Sequence, residues 1–406
     1  MNHLRIILFS AILFLLYSCS EQKEGIQWKS IEKSLNTKFI KANDGDTIDI
    51  PEGHYKFKGT IWLEGKNDIT IRGAGMDKTF LSFRGQEEGS EGLKITNGRN
   101  ITVLDITLQD SKGDLIKAQK IDGLTFKNVK TEWLGEPKEE NGAYGFYPVD
   151  CDRVLIDNST SIGASDAGIY VGQSRDVIVR NCTAYHNVAG IEIENCVRAD
   201  VYDCLAHENT GGILIFDMPD LTQNGREVRV FNNKVISNNY RNFAPEGNIV
   251  GEVPPGTGIM VLATTAVEIF DNEIDRNKTI GIAIASYKLV QKPYDDPDFN
   301  PYPKSISIYN NTISKGLFQF PTFGNDLGKL LLFKFPFSRP DILFDGFFDP
   351  EIEQKDGNYV APYQICVGEN NGAKFANIDA ANDFANIITE LDQFNCEPTN
   401  FPAVRL

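Results

Sequence analysis

A glycine followed by alternating apolar residues recurs along this chain, at Gly168-Ile-Tyr-Val, Gly190-Ile-Glu-Ile, Gly212-Ile-Leu-Ile, Gly258-Ile-Met-Val and Gly281-Ile-Ala-Ile. The spacings are 22, 22, 46 and 23 residues; 46 reads as two repeats holding an excursion around Tyr240 to Pro255. A second strand signal follows each glycine, as in Asp176-Val-Ile-Val-Arg-Asn, Glu227-Val-Arg-Val-Phe-Asn-Asn and Ser305-Ile-Ser-Ile-Tyr-Asn-Asn. Each repeat is therefore two or three short period-2 strands joined by Asn/Gly turns, too small to bury its apolar face alone. Stacking coil upon coil, roughly 4.8 Å apart, pairs every strand with its counterpart and buries one continuous Ile/Val ladder. The expected fold is all-β, a right-handed parallel β-helix. A propeller would want a longer period with Trp-Asp signatures, and a sandwich would not repeat its register so closely.

The chain carries 40 Lys+Arg against 56 Asp+Glu, a formal net charge of −16. Such an excess of acid argues against a phosphate-backbone partner, which needs a basic stripe, so no nucleic acid is expected. Residues 1–18 read as an export signal: Arg5 gives the positive end, and Ile6 to Leu16 is apolar but too short to span a bilayer. The run Leu16-Tyr17-Ser18-Cys19 resembles the lipobox of bacterial lipoproteins. That resemblance implies lipidation of Cys19, membrane attachment through the N-terminal lipid, and a place in the bacterial cell envelope at the outer membrane. A plain secretory peptide with an incidental Cys is the alternative.

The expected organisation is a tether over 19–38, the β-helix over 39–316 and a C-terminal capping segment over 317–406. The cap is rich in Phe, Pro and Asp, with Phe318, Phe320, Phe323 and Phe333 to Phe337 packed irregularly along the flank. Ile378, Ala381, Phe384, Ala385, Ile388 and Leu391 recur at helical spacing, which predicts one amphipathic helix over about 379–393 covering the open last coil. Cys366 and Cys396 bracket that segment and read as a disulfide, whereas Cys182 and Cys204, 22 residues apart, read as stacked buried thiols. No CxxC or HExxH occurs, so no zinc site is expected.

Because side chains alternate along a strand, the second and fourth residues after each glycine point outward. Aligning coils gives one outward column of Lys94, Ile116, Tyr147, Tyr170, Glu192, Leu214 and Met260, and a neighbouring one of Thr96, Ala118, Val149, Gly172, Glu194, Phe216 and Leu262. The middle coils hold the polar groups, and Asp217 ends the next strand. Just before them Leu134 to Gly142 lengthens one turn, as binding walls on rigid scaffolds do. Tyr144, Tyr147, Glu192 and Glu194 are the candidate catalytic residues. Two residues apart on one strand, the glutamates are roughly 6.5 Å apart at Cα, within reach of a glycosidase acid/base pair. Tyr170, Asp217 and Lys94 are candidate substrate-binding residues. The bland reading is that Glu192 and Glu194 form a solvated acidic face. The run Asp295-Asp296-Pro297-Asp298-Phe299-Asn300 offers oxygens suited to calcium but lacks the Gly and distal Glu of an EF-hand loop. No other cofactor is expected.

The opening Asp44-Gly-Asp-Thr-Ile, Gly53-His-Tyr and Asn67-Asp-Ile-Thr-Ile-Arg-Gly-Ala-Gly resembles right-handed β-helices of the pectin-lyase-like superfamily, and the turn-rich coils resemble its carbohydrate-binding and sugar-hydrolase repeats. Taken whole, the chain resembles bacterial parallel β-helix repeat lipoproteins. Tyr144-Gly-Phe-Tyr-Pro-Val149 also resembles the catalytic strand of mannuronan C5-epimerases, Tyr-Gly-Phe-Asp-Pro-His. Here Tyr147 stands for the Asp, Val149 for the His, and Gly172 where those enzymes place an Asp one coil on. These resemblances imply an exported protein that binds a polysaccharide on its outer face and cleaves or modifies it. The acid surplus points that reading to a neutral or weakly charged glycan. A non-catalytic binding or assembly module is the other reading.

Overall fold

The structure is a computed structural model and describes residues 27–316, 320–321 and 325–406; the expected signal peptide, Cys19, Phe318 and Phe323 lie outside these. Strands stack in parallel along one axis and form three faces. The first face holds Tyr144–Val149, Ala167–Gly172, Ala189–Glu194, Gly211–Phe216, Thr257–Leu262 and Ile280–Ala285, each paired in register with the next. The second holds Asp152–Asp157, Arg175–Arg180, Val197–Tyr202, Arg226–Phe231, Thr265–Phe270 and Lys304–Tyr309. Three-residue strands such as Thr183–Tyr185 and Leu205–His207 form the third. The chain is thus a parallel β-helix, with an interior of stacked Ile, Val and Phe.

The corners explain the turn residues seen in the repeat. Asn181, Asp203, Asn232, Asp271 and Asn310 all adopt left-handed backbone, φ 53°, 53°, 54°, 55° and 56°, which Asn and Asp tolerate best among residues with a Cβ. The next residue inward is a buried polar ladder: Asn233, Asn272, Asn311 and Asn370 donate side chain to side chain at 3.0, 2.9 and 2.9 Å. Each amide oxygen also accepts the backbone N–H one coil earlier, so the ladder's own buried amides are paired. Asn272→Ala removes donors and acceptors from three coils at once. We expect it to cost about 2–4 kcal/mol, read as a lower urea midpoint; no measurable loss would contradict the ladder's role. Toward the N-terminus this column continues as Cys204 and Cys182, the stacked free thiols expected from their spacing.

Several boundaries differ from the sequence reading. The tether expected over 19–38 is ordered fold by Trp28, which pairs with His54. Helix α1 (Glu32–Lys41) buries Leu35 and Phe39 against the first coils, and the Glu32 carboxylate accepts Lys58 and Gly59 N–H at 3.0 and 2.8 Å. It covers the strand edge that the first coil would otherwise expose. At the other end coils continue past 316: Ile342–Phe344, Ile365–Val367 and Phe375–Asn377 all join the stack. The 46-residue spacing is one coil, not two, since Gly211–Phe216 pairs directly with Thr257–Leu262; both its loops, 217–225 and 237–256, are excursions.

The amphipathic helix expected over 379–393 does not form. Asp379, Asp383 and Phe384 take left-handed backbone, leaving one short turn at Ala380–Asn382. Ile378, Ile388, Leu391 and Phe394 still pack inward, so the apolar pattern marks the buried face without a helix to carry it. Helix α2 lies earlier, at Asp326–Lys334, capped by Asn325 and seated through Leu331. Phe333 and Phe337 are 82% and 100% exposed rather than packed on the flank. Cys366 and Cys396 form a disulfide, Cα–Cα 5.1 Å. No helix among the described residues is long and apolar enough to cross a membrane.

Candidate functional site

The outward column on the first face runs, by register, Trp62, Lys94, Lys117, Tyr147, Tyr170, Glu192, Leu214, Met260 and Ala283. Lys117 replaces the expected Ile116, whose side chain is core: a one-residue slip exchanges the two faces of a strand. The neighbouring column reads Glu64, Thr96, Gln119, Val149, Gly172, Glu194, Phe216 and Leu262, with Gln119 in place of Ala118.

The middle of this face is not a solvated surface. Phe243, Val250 and Val253 of the 237–256 excursion fold onto Tyr170, Leu214 and Phe216, forming a second apolar layer outside the coil. That excursion is held by Asn248, whose amide donates to Asp166 at 3.0 Å, and by Arg241, which donates to the Pro137 carbonyl at 3.2 Å on the 134–142 insertion. Consequently Glu192 is 2% exposed, Tyr170 3% and Asp217 4%, and none of them can touch a ligand as the loops stand. This corrects the assignment of Glu192 as catalytic and of Tyr170 and Asp217 as substrate-binding.

Each has a different task. The Tyr170 hydroxyl donates to Glu194 Oε1 at 2.6 Å and orients it. Asp217 accepts the Gly225 N–H at 2.6 Å and closes the 217–225 loop. Glu192 stacks between Tyr170 and Leu214, with Oε2 lacking a hydrogen-bond partner. Tyr144, Tyr147 and Glu194 remain partly exposed. The three tyrosine rings converge, Tyr144 lying 4.5 Å from Tyr147 and 4.6 Å from Tyr170. Lys117 Nζ sits 4.7 Å from the Tyr147 ring centre. Lys94 belongs elsewhere, two coils away over the Trp62 ring at 5.4 Å and 3.6 Å from Glu91.

Burial sets the electrostatics. It pushes the Asp166 carboxyl to about 7, helped by the nearby Glu194 charge and opposed by hydrogen bonds from Tyr144 and Asn248. Glu192 rises well above its ordinary value through burial and the charges of Asp166 and Glu194. Glu194 rises less freely, because the Tyr170 hydroxyl stabilises its ionised form. Asp217 reaches about 7 and Asp114, near Lys117, about 6, both through burial. Burial and the surrounding carboxylates lift Tyr147 to about 12, so at neutral pH it is a donor and not a base. The arrangement sets buried, protonatable carboxylates beside the partly exposed residues Glu194, Tyr144 and Tyr147, suited to proton transfer.

Sequence reasoning missed Asp114, Lys117, Asp166 and Asn248. Only Lys117 carried a recoverable signal, the period-2 register; Asp166 and Asn248 meet through tertiary folding alone. In the Asp295 to Asn300 run, Asp296 accepts Asp298 and Asp220 N–H at 3.0 and 2.9 Å and shapes a turn. Among the described residues no three His, Cys, Asp or Glu side chains converge to hold a metal.

Mouse SHC SH2 domain-binding protein 1 is 25% identical over 308 residues, 73% of this chain and 39% of its own length. The capsule K1-specific depolymerase of Klebsiella phage K64-1 is 32% identical over 107 residues, 23% of this chain and 11% of its own. The chain thus spans well under half the length of either curated relative. Among solved structures, the A-module of a mannuronan C-5 epimerase from Azotobacter vinelandii is 15% identical with TM-score 0.47, covering 84% of this chain and 90% of that one. Residues 91–251, which carry every residue of the Tyr144 centre, match the family described as right handed beta helix region. With the same stacking continuing on both sides of that span, the chain is a right-handed parallel β-helix protein.

Proposed function

We propose that this chain is an exported, lipid-anchored protein of the bacterial cell envelope that binds a polysaccharide along its first face and cleaves it beside Tyr147. The observation that carries this reading is Glu194: a partly exposed carboxylate, fixed by Tyr170 and backed by protonatable Asp166 and Glu192, next to neutral Tyr147 and Tyr144. Glu194 serves as the base that activates water, and the Tyr147 hydroxyl as proton donor to the leaving oxygen. A phenol raised to about 12 stays protonated at neutral pH, so Tyr147 is the donor and not the base of the pair. The depolymerase match, named for acting on a capsule, supports a glycan substrate. Export and anchoring rest on the Arg5 to Cys19 pattern.

Trp62, 52% exposed, with Lys94, Lys117 and Tyr147, gives a strip of rings and cations leading to the centre along the helix axis. A sugar residue is about as long as one coil is thick, so a glycan lying along the axis meets one side chain per coil. Two lysines on that strip widen the substrate class from neutral glycans to ones with acidic groups. Trp62→Ala and Lys117→Ala are each expected to weaken retention on a glycan gel about 5–30-fold, the equivalent of 1–2 kcal/mol. Unchanged retention in both variants would remove the strip from the account. Binding without turnover is the second reading, favoured by the burial of Glu192 and Asp166 beneath the excursion.

A further inference from the structure

The second face carries an outward column of its own: Asp200, Arg229, Glu268, Ser307 and Cys366, one per coil. Arg229 grips Asp200 through two bonds of 2.8 and 2.6 Å, and the Tyr309 hydroxyl donates to Glu268 Oε1 at 2.9 Å. Stacked rings of Tyr202, Phe231, Phe270 and Tyr309 wall one side. The column is nevertheless buried, because the last ten residues lie along it.

Those residues, Glu397 to Leu406, leave the body directly after the Cys366–Cys396 disulfide and pair with no strand. They are bound through main-chain donors: Thr399 N–H to Ser307 Oγ at 3.0 Å, Phe401 N–H to Glu268 Oε2 at 2.9 Å, and Val404 N–H to Asp200 Oδ2 at 3.0 Å. Phe401 and Val404 are half-buried, while Asn400, Ala403, Arg405 and Leu406 are exposed. Pro398 and Pro402 lack an N–H and favour the extended backbone that spaces the donors over successive coils. Recognition here reads backbone more than side chains, the mode by which extended peptides are bound.

We propose that this column is a docking groove for an extended, proline-containing peptide of a partner protein, and that residues 397–406 are its displaceable resident. Asp200 and Glu268 against the single guanidinium of Arg229 leave the column net negative, which suits a partner segment bearing a positive charge. Tethering gives the resident an effective concentration of about millimolar, so a partner enters by binding better or after cleavage of the tail.

The test folds the whole protein with a protease site between Cys396 and Glu397, then cleaves it, leaving 397–406 held without a covalent link. The probe is a fluorescent synthetic peptide of 397–406. We expect saturable exchange into the groove, weakened about ten-fold or more by N-methylation at Phe401 and less than about three-fold at Ala403, whose N–H lies outside the three bonds. A peptide of unrelated side chains that keeps both prolines and one arginine is expected to bind within about ten-fold of the native one. A nicked, folded protein that never takes up probe would overturn the proposal, as would equal loss from both methylations. So would binding of the native sequence alone, which would make the tail a strap for this chain only.

Discussion

Glu194→Gln is expected to lower glycan turnover by about 10²–10⁴-fold, the range for loss of a positioned acid or base. The melting temperature should hardly move, since Gln still accepts the Tyr170 hydroxyl and one coupled charge leaves a crowded cluster. Tyr147→Phe tests the other half of the pair. It removes only a hydroxyl from a ring that keeps its contacts with Tyr144 and Lys117, so turnover should drop with little change in glycan retention. Reducing ends followed beside retention on the glycan gel separate these effects. A Glu194→Gln protein keeping more than about a tenth of its turnover would exclude Glu194 as the base.

Stability is expected to fall as pH rises from 5 to 8, opposite to a protein governed by surface ion pairs. Asp166, Asp217 and Asp345 are held at about 7 and Asp114 at about 6 against an ordinary 3.8, and Glu192 lies well above 4.5, in each case chiefly through burial. These folded-state values are raised, so the folded chain keeps protons that the unfolded chain sheds above pH 4–5. The contribution is complete below that pH and is lost as pH climbs through about 7, at about 1.4 kcal/mol per unit for each group still protonated. Carboxylates whose values are lowered by hydrogen bonds and ion pairs, such as Asp157 with Asn181 and Arg180, lose their contribution only in strong acid, outside this window. Glu192→Gln removes one titrating group whose burial raises its pKa well above the ordinary value and whose Oε2 has no hydrogen-bond partner. It should flatten the slope and raise stability at pH 8 by about 1–3 kcal/mol. Urea midpoints at four pH values decide it; a midpoint that rises with pH in both proteins would refute the buried acid store.

The fold was legible because its signal is periodic. Gly168, Gly190 and Gly212 set the coil length, and alternation after each gave the core residues Ile169, Ile191 and Ile213 directly. What failed depended on contacts between distant segments. Nothing near Glu192 in sequence shows that Val250 and Val253 will pack with its column neighbours Tyr170 and Leu214, so an outward position was read as an exposed one. The helical spacing of Ile378 to Leu391 arose from packing against the last coils, while left-handed Asp379 and Asp383 barred the helix itself. The 46-residue spacing misled because an excursion adds length without adding a coil. Of the candidate site, Tyr144, Tyr147 and Glu194 come together as the repeat alignment implied; their partners Asp166, Lys117 and Asn248 needed the folded molecule.

The most direct measurement is incubation of residues 20–406 with a panel of neutral and acidic polysaccharides, following reducing ends and unsaturated-product absorbance together. The account predicts reducing ends without absorbance on at least one glycan that the Trp62 to Tyr147 strip retains. Rising absorbance would show elimination and contradict the roles given to Glu194 and Tyr147, and retention with neither signal would leave a binding protein whose proton store does no chemistry.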